Sequence, residues 1–245
     1  MGRLVILSGP SCVGKGPLHK AFKIFYPKLA ANLPKLVLYD SRPPRPGEVD
    51  GVDYHFRTRE YIEQLRDNSA FLVTDIRGDL QALELDYLNR LLVQGDALFE
   101  GNPFIAVELL DMAWTQKIKT LSVFLSPLSA AEIEELKARQ NLHLETFVTD
   151  VMRRKLLRRT TRQKSILSLK DLENIEVRAG SAYKEMKLAW RFDFVFPNHD
   201  GEDSDNWDAF YYPIGDARLA LLCFTEILTG GKSAYAEKWP QDLLP

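Results

Sequence analysis

Leu4-Val5-Ile6-Leu7-Ser8-Gly9-Pro10-Ser11-Cys12-Val13-Gly14-Lys15-Gly16 decides the fold. A short apolar run suited to a buried strand leads into a glycine loop ending in Gly-Lys, and a helical stretch follows from Leu18 to Phe25. This is the arrangement of a phosphate-binding loop (P-loop). From Gly9 to Gly16, with Pro10, Ser11, Cys12 and Val13 inside it, the loop offers backbone N–H groups and a helix N-terminus to phosphate oxygens. Lys15 neutralises their charge. Glycine is required at Gly9 and Gly14, where a Cβ would block the phosphates or the backbone angles. The hydroxyl residue that usually follows the lysine and ligates Mg²⁺ is missing, and Gly16 and Pro17 stand in its place.

A second stretch runs Ser41-Arg42-Pro43-Pro44-Arg45-Pro46-Gly47-Glu48-Val49-Asp50-Gly51-Val52-Asp53-Tyr54-His55-Phe56. Two arginines held by prolines, an acidic turn containing Glu48 and then Tyr54 suit a rigid grip on a phosphate. Arginine presents a planar fork to phosphate oxygens, and a tyrosine hydroxyl adds a donor. Read alone, the same letters also describe a solvated Pro-rich loop turning into a strand. Behind a P-loop they give a donor phosphate site followed by an acceptor phosphate site, the layout of a nucleoside monophosphate kinase.

On these residues the chain resembles the guanylate kinase family. Gly9 to Gly16 is similar to that family's P-loop, and Arg42 to Tyr54 looks like its GMP-binding signature. Looser likeness runs through Phe71 to Gly78, Arg178 to Glu185 and Asp193 to Asn198, so that it spans residues 3 to about 200. The resemblance implies an α/β P-loop kinase fold: a parallel five-stranded sheet flanked by helices, with a nucleotide-monophosphate-binding insertion and a lid. It implies one domain over 1–245, with core segments 1–35, 84–138 and 179–245, an acceptor-binding region at 36–83 and an extended basic lid at 139–178. It further implies ATP and Mg²⁺ as cofactors, Arg139 and Arg178 as lid arginines, Asn198 on the adenine side, and Arg42, Arg45, Glu48, Tyr54 and Glu100 as acceptor-side residues. Where the family reads guanine with a hydroxyl and a glutamate, this chain has Leu38 and Leu72, and Asp75, Asp79 and Gln81 are the nearby polar substitutes. The family's Asp-x-Asp run after the third strand is reduced to Glu100.

Composition agrees with one α/β domain. The 245 residues are 45% hydrophobic, enough for a sizeable core, and the formal net charge of −2 excludes a molecule that is a polyanion-binding surface as a whole. Cys12 and Cys223 give no disulfide framework, so a reducing, cytoplasmic compartment is expected. The first apolar run begins without a leader pattern, and no apolar stretch approaches the roughly 18–20 residues of a membrane span. His19, His55, His143 and His199 are scattered without ligand spacing, so no resident metal site is expected.

Apolar runs predict strands at Leu4–Leu7, Leu36–Tyr39, Ala97–Glu100, Thr120–Leu125 and Phe194–Phe196. Helices are predicted around Leu18–Tyr26, Arg59–Arg66, Glu84–Val93, Ala130–Ala138, Ser181–Ala189 and Ala217–Leu228. The acidic run Asp200–Asp208 predicts a solvent loop. Arg153, Arg154, Lys155, Arg158, Arg159, Arg162 and Lys164 form a basic segment that fits lid arginines, a solvated helix face or a nucleic-acid contact through 153–164. Four activities remain open at this point: ATP-to-GMP phosphoryl transfer, the same fold acting on another nucleotide or a sugar phosphate, a catalytically silent interaction module, and nucleic-acid binding. Small-molecule nucleotides are the expected partners, with no membrane contact.

Overall fold

The computed structural model describes residues 1–45, 47–164, 166–230 and 232–244; Pro46 of the Pro-rich signature lies outside the described residues. Strand β1 (Leu4–Ser8) runs through the centre of the molecule between β6 (Ala97–Gly101) and β7 (Thr120–Ser126), and β8 (Phe194–Pro197) follows β7 at the edge. All three pairings are parallel, with Leu4 opposite both Ala97 and Thr120. A parallel strand covered on both faces reads as an unbroken apolar run, because successive side chains point to opposite sides. Leu4 and Ile6 accordingly enter one core, and Val5 and Leu7 enter the other.

The second of these cores is closed by α1 (Lys15–Phe25) and α9 (Gly215–Leu228), where Phe22 meets Phe224 edge to face at 5.3 Å between ring centres. The first is closed by α4 (Leu85–Gln94), α5 (Pro103–Thr115), α6 (Ala130–Lys137), α7 (Leu144–Gln163) and α8 (Leu169–Met186). Helix α7 turns Val148, Met152 and Leu156 inward, one residue per turn, and α8 answers with Ile175, Ala179, Ala182 and Met186. Ser168 caps α8 in a reciprocal arrangement with Asp171, which sets where the second helix of this hairpin begins.

The expected five-stranded parallel sheet has four strands. The segment read as a strand at Leu36–Tyr39 borders β6 only briefly, through the bridge from Lys35 to Leu98 and the bonds from Leu36 N to Leu98 O and from Leu98 N to Pro34 O. Pro34 has no N–H to extend that ladder, and the chain then changes partners. Its continuation, β2 (Leu38–Asp40), belongs to a second, mixed sheet in the order β3-β2-β5-β4, with β3 at Tyr54–Phe56, β4 at Phe71–Ile76 and β5 at Asp79–Glu84. On β5, Leu80 and Ala82 pack toward α3 (Arg59–Gln64), which leaves Gln81 on the opposite face.

The run 200–208 is not the solvent loop its acidity predicted. Gly201 and Asp203 are buried, and its carboxylates pair with α7: Lys155 and Arg158 lie 3.6 and 3.7 Å from Asp203, Arg159 is 2.6 Å from Glu202, and Arg162 is 3.0 Å from Asp205. Charge that looks solvated in one segment is matched by charge from another. The helix expected at Ser181–Ala189 starts a dozen residues earlier, at Leu169. The side chain of Phe99, fully buried in the first core, should be replaceable by alanine only at a cost of about 3–5 kcal/mol, read as a lowered midpoint in chemical denaturation.

Candidate active site

One cleft of about 970 Å³ lies between the P-loop, the mixed sheet, the α7–α8 hairpin and the 200–211 segment. Its floor is the loop from Gly9 to Gly14. Gly9 has φ +146°, and a Cβ there would come within 2.3 Å of Leu125 O; Gly14 has φ +103°, and a Cβ would meet the Asn198 amide at 2.6 Å. Both glycines are therefore fixed by backbone angle and by close packing. Cys12 also takes a left-handed conformation, φ 68°. Its buried thiol is pushed up to about 12, chiefly by burial and then by nearby Glu202, so it is no nucleophile here.

Helix α1 starts at Lys15 with no side chain capping its N-terminus, so its first N–H groups are open to an anion. The Lys15 ammonium is folded onto its own loop, donating to Gly9 O and Pro10 O at 2.7 Å each. Burial lowers its pKa, and Glu202, Glu185 and Glu100 work against that. An arriving phosphate replaces two neutral carbonyls with a charged acceptor.

On the acceptor side, Arg42 is already committed. Its two terminal nitrogens donate to Glu48 at 2.6 and 2.8 Å, its Nε lies 3.3 Å from Asp40, and its guanidinium is 5.1 and 5.4 Å from the ring centres of Tyr54 and Phe56. Burial opposes ionisation of Glu48, but hydrogen bonds from Arg42 and from Arg45 N–H hold its carboxyl below the ordinary range. Arg45 is looser, 3.8 Å from Glu48, and faces the cleft. An open Arg45 thus sits on a frame built from Arg42 and Glu48.

Between the two sides stand Arg77, Arg159 and Arg178. Arg77 and Arg178 each donate to Ser11 Oγ at 3.1 Å, and Arg159 pairs with Glu202. Burial first, then the charges of Arg159, Arg45 and Arg77, push the Arg178 guanidinium well below its ordinary pKa. Such a cluster of like charges favours a polyanionic ligand.

Of the two arginines expected in the lid, Arg178 lines the cleft. Arg139 is not in it: its side chain is 59% exposed and paired with Glu135, beyond the end of α6. Asn198 is fully buried and spends its amide hydrogens on Val13 O and Asp200 O at 2.8 Å, bolting the P-loop to the segment behind β8. Glu100 lines the cleft near Gly16, with one oxygen held by His19 at 3.0 Å and Lys35 at 3.4 Å. Burial opposes its charge, but Lys35 and His19 outweigh that and bring its pKa down to about 2.

Leu38 is part of the first core and Leu72 packs against it; of Asp75, Asp79 and Gln81, Gln81 lines the cleft, tied to Asp40 at 2.7 Å. Sequence reasoning missed Arg77, Arg159 as a cleft residue, Glu185 and Glu202. Arg159 lay hidden in a basic run, and Glu202 in an acidic one. For Arg77 the signal was an arginine directly before Gly78, where a hairpin turn favours Asn, Asp or Gly.

Comparison with known proteins follows this geometry. The family model described as guanylate kinase matches residues 1–162. The guanylate kinase of Mycobacterium sp. (strain MCS) is 36% identical over 162 residues, covering 64% of this chain and 75% of that protein. That of Synechococcus sp. (strain JA-3-3Ab) is 34% identical over 140 residues, covering 54% of this chain and 58% of that protein. The crystal structure of guanylate kinase from Anaplasma phagocytophilum shares the fold at 17% identity, with a TM-score of 0.52 over 94% of this chain and 85% of that one. With most of the chain matched by the family model and the P-loop facing the arginine signature across one cleft, this protein belongs to the guanylate kinase family.

Proposed function

We propose that this protein transfers the γ-phosphoryl group of ATP to GMP. The observation that carries it is the single cleft in which Lys15 and the open N-terminus of α1 face Arg45, with Arg77, Arg159 and Arg178 between them. The loop and Lys15 hold the donor phosphates. Arg45, with Tyr54 beside it and Arg42 and Glu48 framing it, holds the acceptor phosphate. An oxygen of the acceptor phosphate attacks the γ-phosphorus as the bond to the bridging oxygen breaks and ADP leaves with the electron pair. The protein contributes alignment and charge and takes no part in covalent chemistry. Apposed cationic groups from the P-loop and the arginine signature in one cleft favour catalysis over a silent scaffold role, and the ion pairs on Arg153, Arg158, Arg159, Arg162 and Lys164 leave the basic segment little free charge for nucleic acid.

Mg²⁺ fits the donor site through one protein group. Among the described residues no three His, Cys, Asp or Glu side chains gather as a metal site, and Gly16 offers no hydroxyl. The nearest carboxylate oxygen to a Cβ built on Gly16 is Glu100 Oε1, at 3.9 Å, and His19 and Lys35 occupy only Oε2. Glu100 would thus face a cation whose remaining ligands are phosphate oxygens and water. When bound, the ion would draw off charge that develops on the donor phosphates.

Two free, buried thiols and an ATP-dependent reaction fit the cytoplasm; among the described residues, no helix is long and apolar enough to cross a membrane.

ADP release should be measured with ATP–Mg²⁺ against GMP, AMP, other nucleoside monophosphates and sugar phosphates. Turnover with GMP is expected, and Lys15→Ala should lower kcat by about 100-fold or more through loss of a charged phosphate contact. Turnover with other acceptors but not with GMP would falsify the assignment.

Base discrimination should be weak. Leu38 and Leu72 present no hydrogen-bonding edge, and apolar pockets discriminate by only about 10–200-fold, whereas hydrogen-bonding ones reach about 10⁴. The ratio of kcat/KM for GMP over AMP should lie below about a thousand. A ratio above about 10⁴ would mean that Gln81 or another polar group reads the base.

The two lid arginines should separate cleanly. Arg178→Ala should lower kcat by about 100-fold, while Arg139→Ala, which removes an exposed helix-end ion pair, should stay within about twofold of the parent. Equal losses would show that the lid swings Arg139 into the cleft during turnover.

A further inference from the structure

Arg77 occupies the turn between β4 and β5 with φ 58°, and Gly78 after it has φ 89°. Two-residue turns with both residues left-handed favour Asn, Asp or Gly at the first position, so an arginine is held there against local preference. Its side chain leaves the acceptor region altogether. Nη1 donates to Ser11 Oγ of the P-loop at 3.1 Å, while Nε and Nη2 donate to Glu185 Oε1 on α8 at 3.0 and 2.5 Å. Glu185 is fully buried, and the same oxygen is fixed by Asn102 at 3.0 Å and Ser181 at 2.8 Å. One edge of the guanidinium is thereby locked, and the remaining nitrogen is aimed at the loop.

Ser11 Oγ is an uncharged acceptor shared with Arg178, whose Nε also lies 3.1 Å away. A phosphoryl oxygen is charged and accepts more strongly, so it would displace the hydroxyl from both guanidinium groups. We propose that Arg77 is a catalytic residue, delivered from the acceptor region to the P-loop, where it binds an oxygen of the phosphoryl group in transit beside Arg178. This rests on the kinase activity proposed above. As the acceptor oxygen bonds to the γ-phosphorus and the bridging oxygen leaves with ADP, Arg77 gains and loses no proton. It supplies fixed positive charge where the equatorial oxygens gather negative charge. A purely structural clasp from hairpin to core would need the Glu185 pair but not the nitrogen directed at Ser11.

The test is steady-state kinetics of Arg77→Ala and Arg77→Lys with ATP–Mg²⁺ and GMP, together with thermal denaturation and ADP binding with and without aluminium fluoride. Arg77→Ala should lower kcat by about 100-fold with both KM values within about threefold. Arg77→Lys keeps a charge for Glu185 but cannot hold Glu185 and a phosphoryl oxygen at once, so it should melt with wild type and still lose about tenfold in kcat. Aluminium fluoride, which mimics the planar phosphoryl, should tighten ADP binding by wild type about tenfold and by Arg77→Ala far less. Unchanged kcat, a loss confined to KM, or equal tightening in variant and wild type overturns the assignment. A wild type that does not phosphorylate GMP refutes the activity proposed above, and the aluminium fluoride comparison still decides Arg77, since it requires no acceptor.

Discussion

Lys15, Arg45, Arg77, Arg159 and Arg178 share one cleft, and their mutual repulsion is what the surrounding side chains answer. Two like charges some 4 Å apart in a partly buried site repel by about 4 kcal/mol, so such a cluster persists only with anchors behind it. Glu202 anchors Arg159, Glu185 anchors Arg77, and Glu48 frames Arg42 and Arg45. Among the described residues Arg178 donates to the Ser11 hydroxyl alone, and burial together with the charges of Arg159, Arg45 and Arg77 disfavours its charged form. A triphosphate entering the cleft supplies the negative charge that the protein withholds, so binding and relief of repulsion are one event.

The scaffold that gathers these cations grows from the central strand. β1 is paired on both sides and covered on both faces, which fixes where the P-loop begins. Gly9 lies against the end of β7, and Asn198 ties Val13 to the end of β8, so both ends of the loop are referred to neighbouring strands of the same sheet. The cations arrive from four separate places: α1, the Pro-rich loop, the β4–β5 turn and the α7–α8 hairpin. None of these is close to another in sequence beyond its own element. A rigid sheet is therefore the common reference that makes their convergence reproducible.

What sequence conveys here is what is written locally. The unbroken apolar run of Leu4–Leu7 and the glycines after it specify strand and loop, and Arg42 to Tyr54 specifies a phosphate-directed frame. Charge pairing between distant segments is not written locally. Asp200–Asp208 reads as solvated because its partners, Lys155, Arg158, Arg159 and Arg162, sit some forty residues away on α7. Helix α7 itself buries a narrow stripe that its many charges obscure, and α5 is apolar nearly all round, which hides its period. Asn198 illustrates a different limit: beside the adenine-side place that resemblance implies, it ties Val13 O to Asp200 O, a contact no local pattern announces. Arg139 and Arg159 show the same limit, since only the folded chain reveals which arginine lines the cleft.

The 200–208 segment sets the charge of α7 beside the cleft. Its carboxylates meet the face of α7 that would otherwise present unpaired cations to nucleotide phosphates, and Glu202 is held on the P-loop by a bond from its N–H to Cys12 O at 3.3 Å. Arg159 is thus neutralised by a group fixed to the donor site, and among the described residues its buried Nε has no hydrogen-bond acceptor. A phosphoryl group in the cleft would be an acceptor of the right charge, competing with Glu202 for the same guanidinium. Arg159 is therefore a cation already half satisfied, and it would gain less from a bound phosphate than an arginine with no carboxylate beside it.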